Sequence, residues 1–154
     1  MEWIDEVIMG LLDLYGTRNV YELYDALEIS MVKLPEDNVM LQGNEGIYLR
    51  DYLDGESVYI RDDLDPEYEE FVLAHELGHA LLHTDIHTNF FNGIPNRDKL
   101  DRQANYFAIK LLDFEGRLDS IALEGFTIEQ IASTLSLPMM GLAMIKEMQE
   151  IYSA

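Results

Sequence analysis

The chain reads as an α+β domain, mostly helical, in which a small antiparallel sheet lies beside one central helix and a helical tail follows. Three observations predict this. Apolar residues recur at helical spacing over 3–15, 66–83 and 98–113. Segments 46–53 and 57–61 alternate apolar and polar residues and are joined by Asp54-Gly55, a dipeptide suited to a tight hairpin turn. No internal repeat, low-complexity tract or linker divides the chain. Residues 1–154 are therefore expected to form a single domain, with a core over about 30–113 and C-terminal helices in 114–154.

The elements follow in order. Trp3, Ile4, Val7, Ile8, Leu11, Leu12 and Leu14 fall at mostly helical spacing, and the pattern ends near Gly16. Asn19 is suited to cap a short second helix that runs through Leu27. Ile29 to Leu34 reads as a strand stopped by Pro35. After the hairpin, Asp63 or Asp65 precedes Pro66, whose fixed φ and missing N–H suit a first helical turn. The next helix is expected from there to His83, with Glu67, Glu69 and Glu70 complementing its positive end. Residues 84–97 have loop composition, with Asn89, Asn92, Gly93, Pro95 and Asn96. A helix returns over 98–113, and 127–135 and 138–152 form two more around a Leu-Ser-Leu-Pro break.

Composition removes several function classes. Thirty acidic residues against ten basic ones give a net charge of -20. Such a field repels phosphate backbones, so direct nucleic-acid binding is not expected. It favours basic protein partners, and it also serves solubility. With no cysteine there is no disulfide, thiolate metal site or cysteine nucleophile, and a transition metal would need imidazole and carboxylate ligands. No apolar run approaches the roughly 18 residues of a membrane span. The N-terminal Met1-Glu2-Trp3-Ile4-Asp5-Glu6 lacks the basic stretch of a secretory signal, so a cytoplasmic location is expected.

The chemistry concentrates in Phe71–His83, where His75-Glu76-Leu77-Gly78-His79 forms a His-Glu-x-x-His pattern on the expected helix. Residues four apart share a helical face, so His75 and His79 can offer their imidazoles to one metal ion. Glu76 projects beside them and can act as general base toward water at that ion. A catalytic zinc commonly takes three protein ligands, so a third is needed. His83 and His87 continue the four-residue spacing, but each step drifts by roughly 40° and His75 to His87 spans about 18 Å. One ion cannot collect all four. A carboxylate on the following helix is the better candidate, and Asp98 and Asp101 are both available. Asp101 borders the inward stripe of Leu100, Ala104, Phe107, Ala108, Leu111 and Leu112, whereas Asp98 stands at the expected N-cap, so periodicity favours Asp101.

The run Phe71–His83, followed by Leu100-Asp101-Arg102-Gln103-Ala104-Asn105-Tyr106-Phe107-Ala108-Ile109-Lys110-Leu111-Leu112, resembles the ImmA/IrrE family of metallopeptidases. That family shows HExxH-x-x-x-H on one helix and E-x-x-A-N-x-F-A-x-x-L-L on the next. The resemblance implies a zincin-like fold and a Zn2+ site held by His75, His79 and Asp101, with Glu76 catalytic. Asp101 stands where Glu is usual, and the shorter side chain requires a closer helix approach. Asp113 stands where the family often has Pro, which is expected only to shift the helix end. The resemblance further implies a zinc-dependent endopeptidase that cleaves a helix-turn-helix repressor and derepresses genes of a phage or mobile element. The alternative is a non-proteolytic antirepressor that binds and sequesters the repressor.

Other residues admit two readings. Gly78 lies mid-helix, where glycine costs roughly 1 kcal/mol relative to alanine. It serves either close helix packing or the approach of a strand or substrate to the metal face. His83 is expected at the helix end, as a capping cation or a buried hydrogen-bonding group, and His87 in a loop. Asn105 either orients a ligand or makes a helix-to-loop hydrogen bond. Nothing in the spacing of the nine tyrosines singles out an oxyanion-stabilising residue. Met139, Met140, Met144 and Met148 fall at helical spacing and fit a core or a pliable contact face. Residues 127–138 look like the start of a helix-turn-helix, but the following 139–150 is mostly apolar, with one lysine and two glutamates, so packing or docking of a substrate protein is expected there.

Overall fold

Helix α1 (Glu2–Tyr15) buries Ile4, Ile8 and Leu11 and ends at Gly16, in the left-handed conformation at φ 69 with its N–H on the Leu12 carbonyl. The structure is a computed structural model, and it describes residues 1–52, 55–84 and 97–113. The hairpin turn at 53–54, the expected loop and every expected feature after residue 113 lie outside the described residues.

Helix α2 (Val20–Ala26) begins as its cap requires: the Asn19 side chain accepts from the N–H groups of Tyr21 and Glu22. Strand β1 (Ile29–Leu34) stops before Pro35, and a single 3-10 turn (Val39–Leu41) leads to strand β2 (Gly46–Tyr52) and strand β3 (Gly55–Arg61). Helices α3 (Pro66–Leu82) and α4 (Arg97–Leu111) complete the described fold. Asp98 thus falls in the first turn of α4 rather than at its cap. At the other end of α4, Asp113 takes a left-handed conformation at φ 54, so the helix terminates without proline.

The fold is α+β, with β2 and β3 antiparallel as the alternation predicts, Ile47 facing Tyr59 and Tyr48 facing Val58. The sheet is nonetheless mixed. Its order is β1-β3-β2, and β1 runs parallel to β3, Ile29 beside Glu56 through Leu34 beside Arg61. The hairpin occupies one side of β3, which leaves only the other to β1. Gly46 approaches α3 so closely that an added Cβ would lie 2.8 Å from Val72 Cγ1, so β2 packs directly beneath the motif helix.

Helix α3 lies between the sheet and α4, with Phe71, Leu73, Ala74, Leu77 and Ala80 buried in the core. Polar ties fix its place. The Tyr24 hydroxyl donates to the Leu73 carbonyl at 2.6 Å. Buried Glu69 accepts from the Tyr21 hydroxyl at 2.9 Å and pairs with Lys33 at 3.1 Å. Two arginines close the carbonyl ends of the long helices, where a cation also complements the dipole. Arg50 on β2 donates to the Ala80 and Thr84 carbonyls, both at 2.6 Å. Arg18 donates to the Lys110 and Leu111 carbonyls at 2.9 and 3.0 Å. On the other side of α4, the Tyr106 hydroxyl reaches Asp5 of α1 at 2.9 Å.

Candidate metal centre

Asp65 stands at the N-cap of α3 and Pro66 in its first turn, followed by Glu67 and Glu69. The helix then runs unbroken to Leu82, which sets His75 and His79 one turn apart with ring centroids 4.7 Å apart. Their Nε2 atoms face each other at 3.1 Å. From α4, Asp101 Oδ1 comes within 3.3 Å of His79 Nε2 and 3.7 Å of His75 Nε2. The three residues each offer one ligand atom, and these all lie within 4.8 Å of one another. The structure therefore brings together the two histidines and the carboxylate favoured from the sequence.

Hydrogen-bond direction says what this cluster suits. The Asn105 side-chain oxygen lies 2.7 Å from His75 Nδ1, and an amide oxygen only accepts, so Nδ1 carries the proton. A neutral imidazole then presents a lone pair at Nε2, facing His79 and Asp101. Burial first, and then the neighbouring His79 ring, push His75 down to about 3 against the opposing pull of Asp101, which keeps the imidazole neutral. A neutral imidazole and a carboxylate with converging lone pairs form a donor set for a divalent cation of the zinc type. The donor set fits the ion that the sequence resemblance implies.

The closer helix approach that Asp101 needs has a visible cause. A Cβ on Gly78 would lie 3.1 Å from Ala104 Cα, 3.3 Å from the Ala104 carbonyl oxygen and 3.2 Å from Phe107 Cδ1. Glycine here, with alanine opposite, lets α3 and α4 meet backbone to backbone one turn from the ligand atoms. Of the two readings of Gly78, close packing is the one observed.

The cluster opens on one side. His79 is fully enclosed, with 1% of its side chain exposed, whereas His75 keeps 19% and Asp101 35%. These two line a cleft of about 230 Å3 together with Glu76, Asn105, Tyr68, Phe71, Val72 and the segment Asn44–Ile47. Glu76 is 5% exposed and its charge helps burial push the nearby Tyr24 phenol well above its ordinary value. This buried carboxylate shares the cleft wall with His75 and Asp101, a position suited to proton transfer.

Asn105 proves to be a partner of His75, one of its two expected roles. His83 is the buried hydrogen-bonding group at the helix end that was one of its two expected roles: its Nδ1 lies 2.9 Å from His79 Nδ1, while its Nε2 lies 2.9 Å from the Gln103 oxygen. Its two partners escaped sequence reading. The four-residue step from His79 to His83 could have signalled the first contact. Nothing in the sequence signalled Gln103, the Arg50 clamp or the wall formed by 44–47. His87 lies outside the described residues.

Two imidazoles and a glutamate on one helix, a carboxylate from the next and an adjoining cleft beside a small sheet define a site of the metallopeptidase class. The IrrE N-terminal-like domain of peptidase family M78 matches residues 33–143, and the chain belongs to that family. Among individual relatives it is similar to the metallopeptidase ImmA of Bacillus subtilis (strain 168), 31% identical over 146 residues that cover 88% of this chain and 79% of ImmA. It is also similar to the uncharacterized immunity region protein 2 of Bacillus phage phi105, 29% identical over 150 residues, 96% of this chain and 91% of that protein. No solved structure matches it significantly. Among the described residues no helix is long and apolar enough to cross a membrane.

Proposed function

We propose that the chain is a cytoplasmic, zinc-dependent endopeptidase in which His75, His79 and Asp101 hold the ion and Glu76 is the general base. One observation carries this reading: two imidazole nitrogens and a carboxylate oxygen converge within 4.8 Å at the edge of a cleft whose wall also contains Glu76. Zinc bound there would supply Lewis acidity toward the scissile carbonyl and toward water. Glu76 takes the proton of the attacking water and passes it to the departing amine. Asn105 keeps the His75 ring in its ligating tautomer. The segment Asn44–Ile47 leads into β2, one of the two edge strands of the sheet among the described residues. An extended peptide can lie along that edge in strand fashion, its backbone held by main-chain hydrogen bonds.

The substrate in this reading is a helix-turn-helix repressor from the same phage or mobile element. Support comes from the similarity to a phage immunity region protein and to ImmA. The net charge of -20 also suits a basic, DNA-binding partner. The test mixes zinc-loaded protein, wild type or Glu76→Gln, with the repressor encoded beside its gene. Fragments with wild type and none with Glu76→Gln are expected. Equal inactivation by both proteins without fragments would replace proteolysis with sequestration.

A further inference from the structure

Both imidazoles of the centre are held from behind by amide oxygens of α4, by different routes. Asn105 reaches His75 directly. Gln103 reaches His79 through an intermediate ring: its Oε1 lies 2.9 Å from His83 Nε2, and His83 Nδ1 lies 2.9 Å from His79 Nδ1. The direction of this second chain follows from donor chemistry. An amide oxygen only accepts, so His83 Nε2 carries a proton. A neutral imidazole has one N–H, which leaves a lone pair on His83 Nδ1. His79 Nδ1 must then donate to it, and His79 Nε2 is left with its lone pair toward His75 and Asp101. His83 contacts the ring atom opposite the one that faces the cluster, so it does not share the ion.

We propose that Gln103 and His83 form a positioning relay that fixes His79 in the tautomer and orientation needed to ligate the metal. The third histidine of the motif helix is thereby a positioning residue for the second. The relay explains why a third imidazole sits buried one turn beyond His79 at the end of α3, with 6% exposure. It also gives the enclosed ligand, His79, the same kind of support that Asn105 gives the more open one. A residue that merely filled space would leave the tautomer of His79 undetermined. The relay rests on the metal-centre reading of His75, His79 and Asp101.

The histidine-ring 15N spectrum of the whole chain tests it, because ring nitrogens with and without protons differ widely in shift. In metal-free wild type we expect the proton on Nδ1 of His79 and on Nε2 of His83. In Gln103→Leu the His83 tautomer is released, and His79 populates its Nε2–H form. Zinc affinity, read by competition with a chromophoric chelator, is expected to fall about 10- to 100-fold in Gln103→Leu and in His83→Phe. A proton on His79 Nε2 in wild type, or unchanged affinity in both Gln103→Leu and His83→Phe, overturns the relay. The wild-type spectrum needs no variant to fold, and it decides the relay separately from whether the protein binds zinc at all, a failure that would belong to the metal-centre reading.

Discussion

Toward α2 and the sheet, α3 meets polar side chains that close their hydrogen bonds within the protein. The Tyr24 hydroxyl ends on the Leu73 carbonyl, and Glu69 takes both the Tyr21 hydroxyl and the Lys33 ammonium. Toward α4 the same helix turns His75 and His79 to Asp101, with lone pairs meeting at 3.1 to 3.7 Å. These contacts on the first flank pair donors with acceptors. The second brings two imidazole nitrogens and a carboxylate oxygen together at a spacing that suits a shared cation. Structural and chemical work are thus divided between two sides of one helix, and the division can be tested one side at a time.

Removing a ligand should have the largest effect. His79→Ala is expected to lose zinc affinity well beyond the roughly 10- to 100-fold typical of an outer partner. Zinc should raise the melting temperature of wild type, because it binds the folded state, and should not raise that of the variant. Glu76→Gln comes next: it should bind zinc like wild type yet lose on the order of 100- to 10,000-fold in peptide cleavage, the span of a general base. Loss of metal along with activity would move Glu76 from catalysis to ligation.

Gly78→Ala probes the seam itself. Alanine gains roughly 1 kcal/mol in helix propensity, but overpacking against backbone costs about 1–3 kcal/mol. Its Cβ would meet the Ala104 backbone at 3.1 Å, which a side-chain rotation cannot relieve. We expect a net loss of stability by thermal melt and weaker zinc binding as Asp101 is pushed back. Adding Asp101→Glu should recover part of that affinity, since the longer side chain spans the wider gap. An additive or worse double variant would break the link between Gly78 and the shorter ligand.

The other flank should respond in stability alone. Tyr24→Phe is expected to cost about 1 kcal/mol through the lost hydrogen bond, with zinc affinity unchanged. Alkaline pH acts on the same side in a graded way. Burial raises Tyr21 and Tyr48 to about 12, with the Glu69 hydrogen bond adding to the shift at Tyr21. The folded protein therefore keeps phenol protons that the unfolded chain releases near pH 10. Their stabilisation is complete below about pH 10 and is lost as pH rises toward 12. Melting temperatures across that range, read beside tyrosinate absorbance, should show the decline, and a flat profile would contradict it.

What was legible in the sequence had a local signature. The four-residue step from His75 to His79, the Asn19 cap, Pro66 and the alternating hairpin strands each follow from short-range geometry. Asp101 emerged because its helix carries a clear apolar stripe beside it. The parallel pairing of β1 with β3 was not legible, since alternation marks a strand but not its partner. Arg50 and Arg18 grip helix ends 30 to 93 residues away, and no periodicity encodes such a meeting. Gln103 lies on α4 between Asp101 and Asn105, off the face that a stripe argument inspects, and only the position of His83 reveals its use.

The central claim is that His75, His79 and Asp101 form one metal centre. Its most direct test is a zinc titration of wild type and Asp101→Ala under competition with a chelator, with folding of both checked by circular dichroism. One equivalent bound tightly by wild type and a large loss of affinity in the variant are expected. Unchanged affinity in Asp101→Ala would contradict the claim and place the third ligand elsewhere.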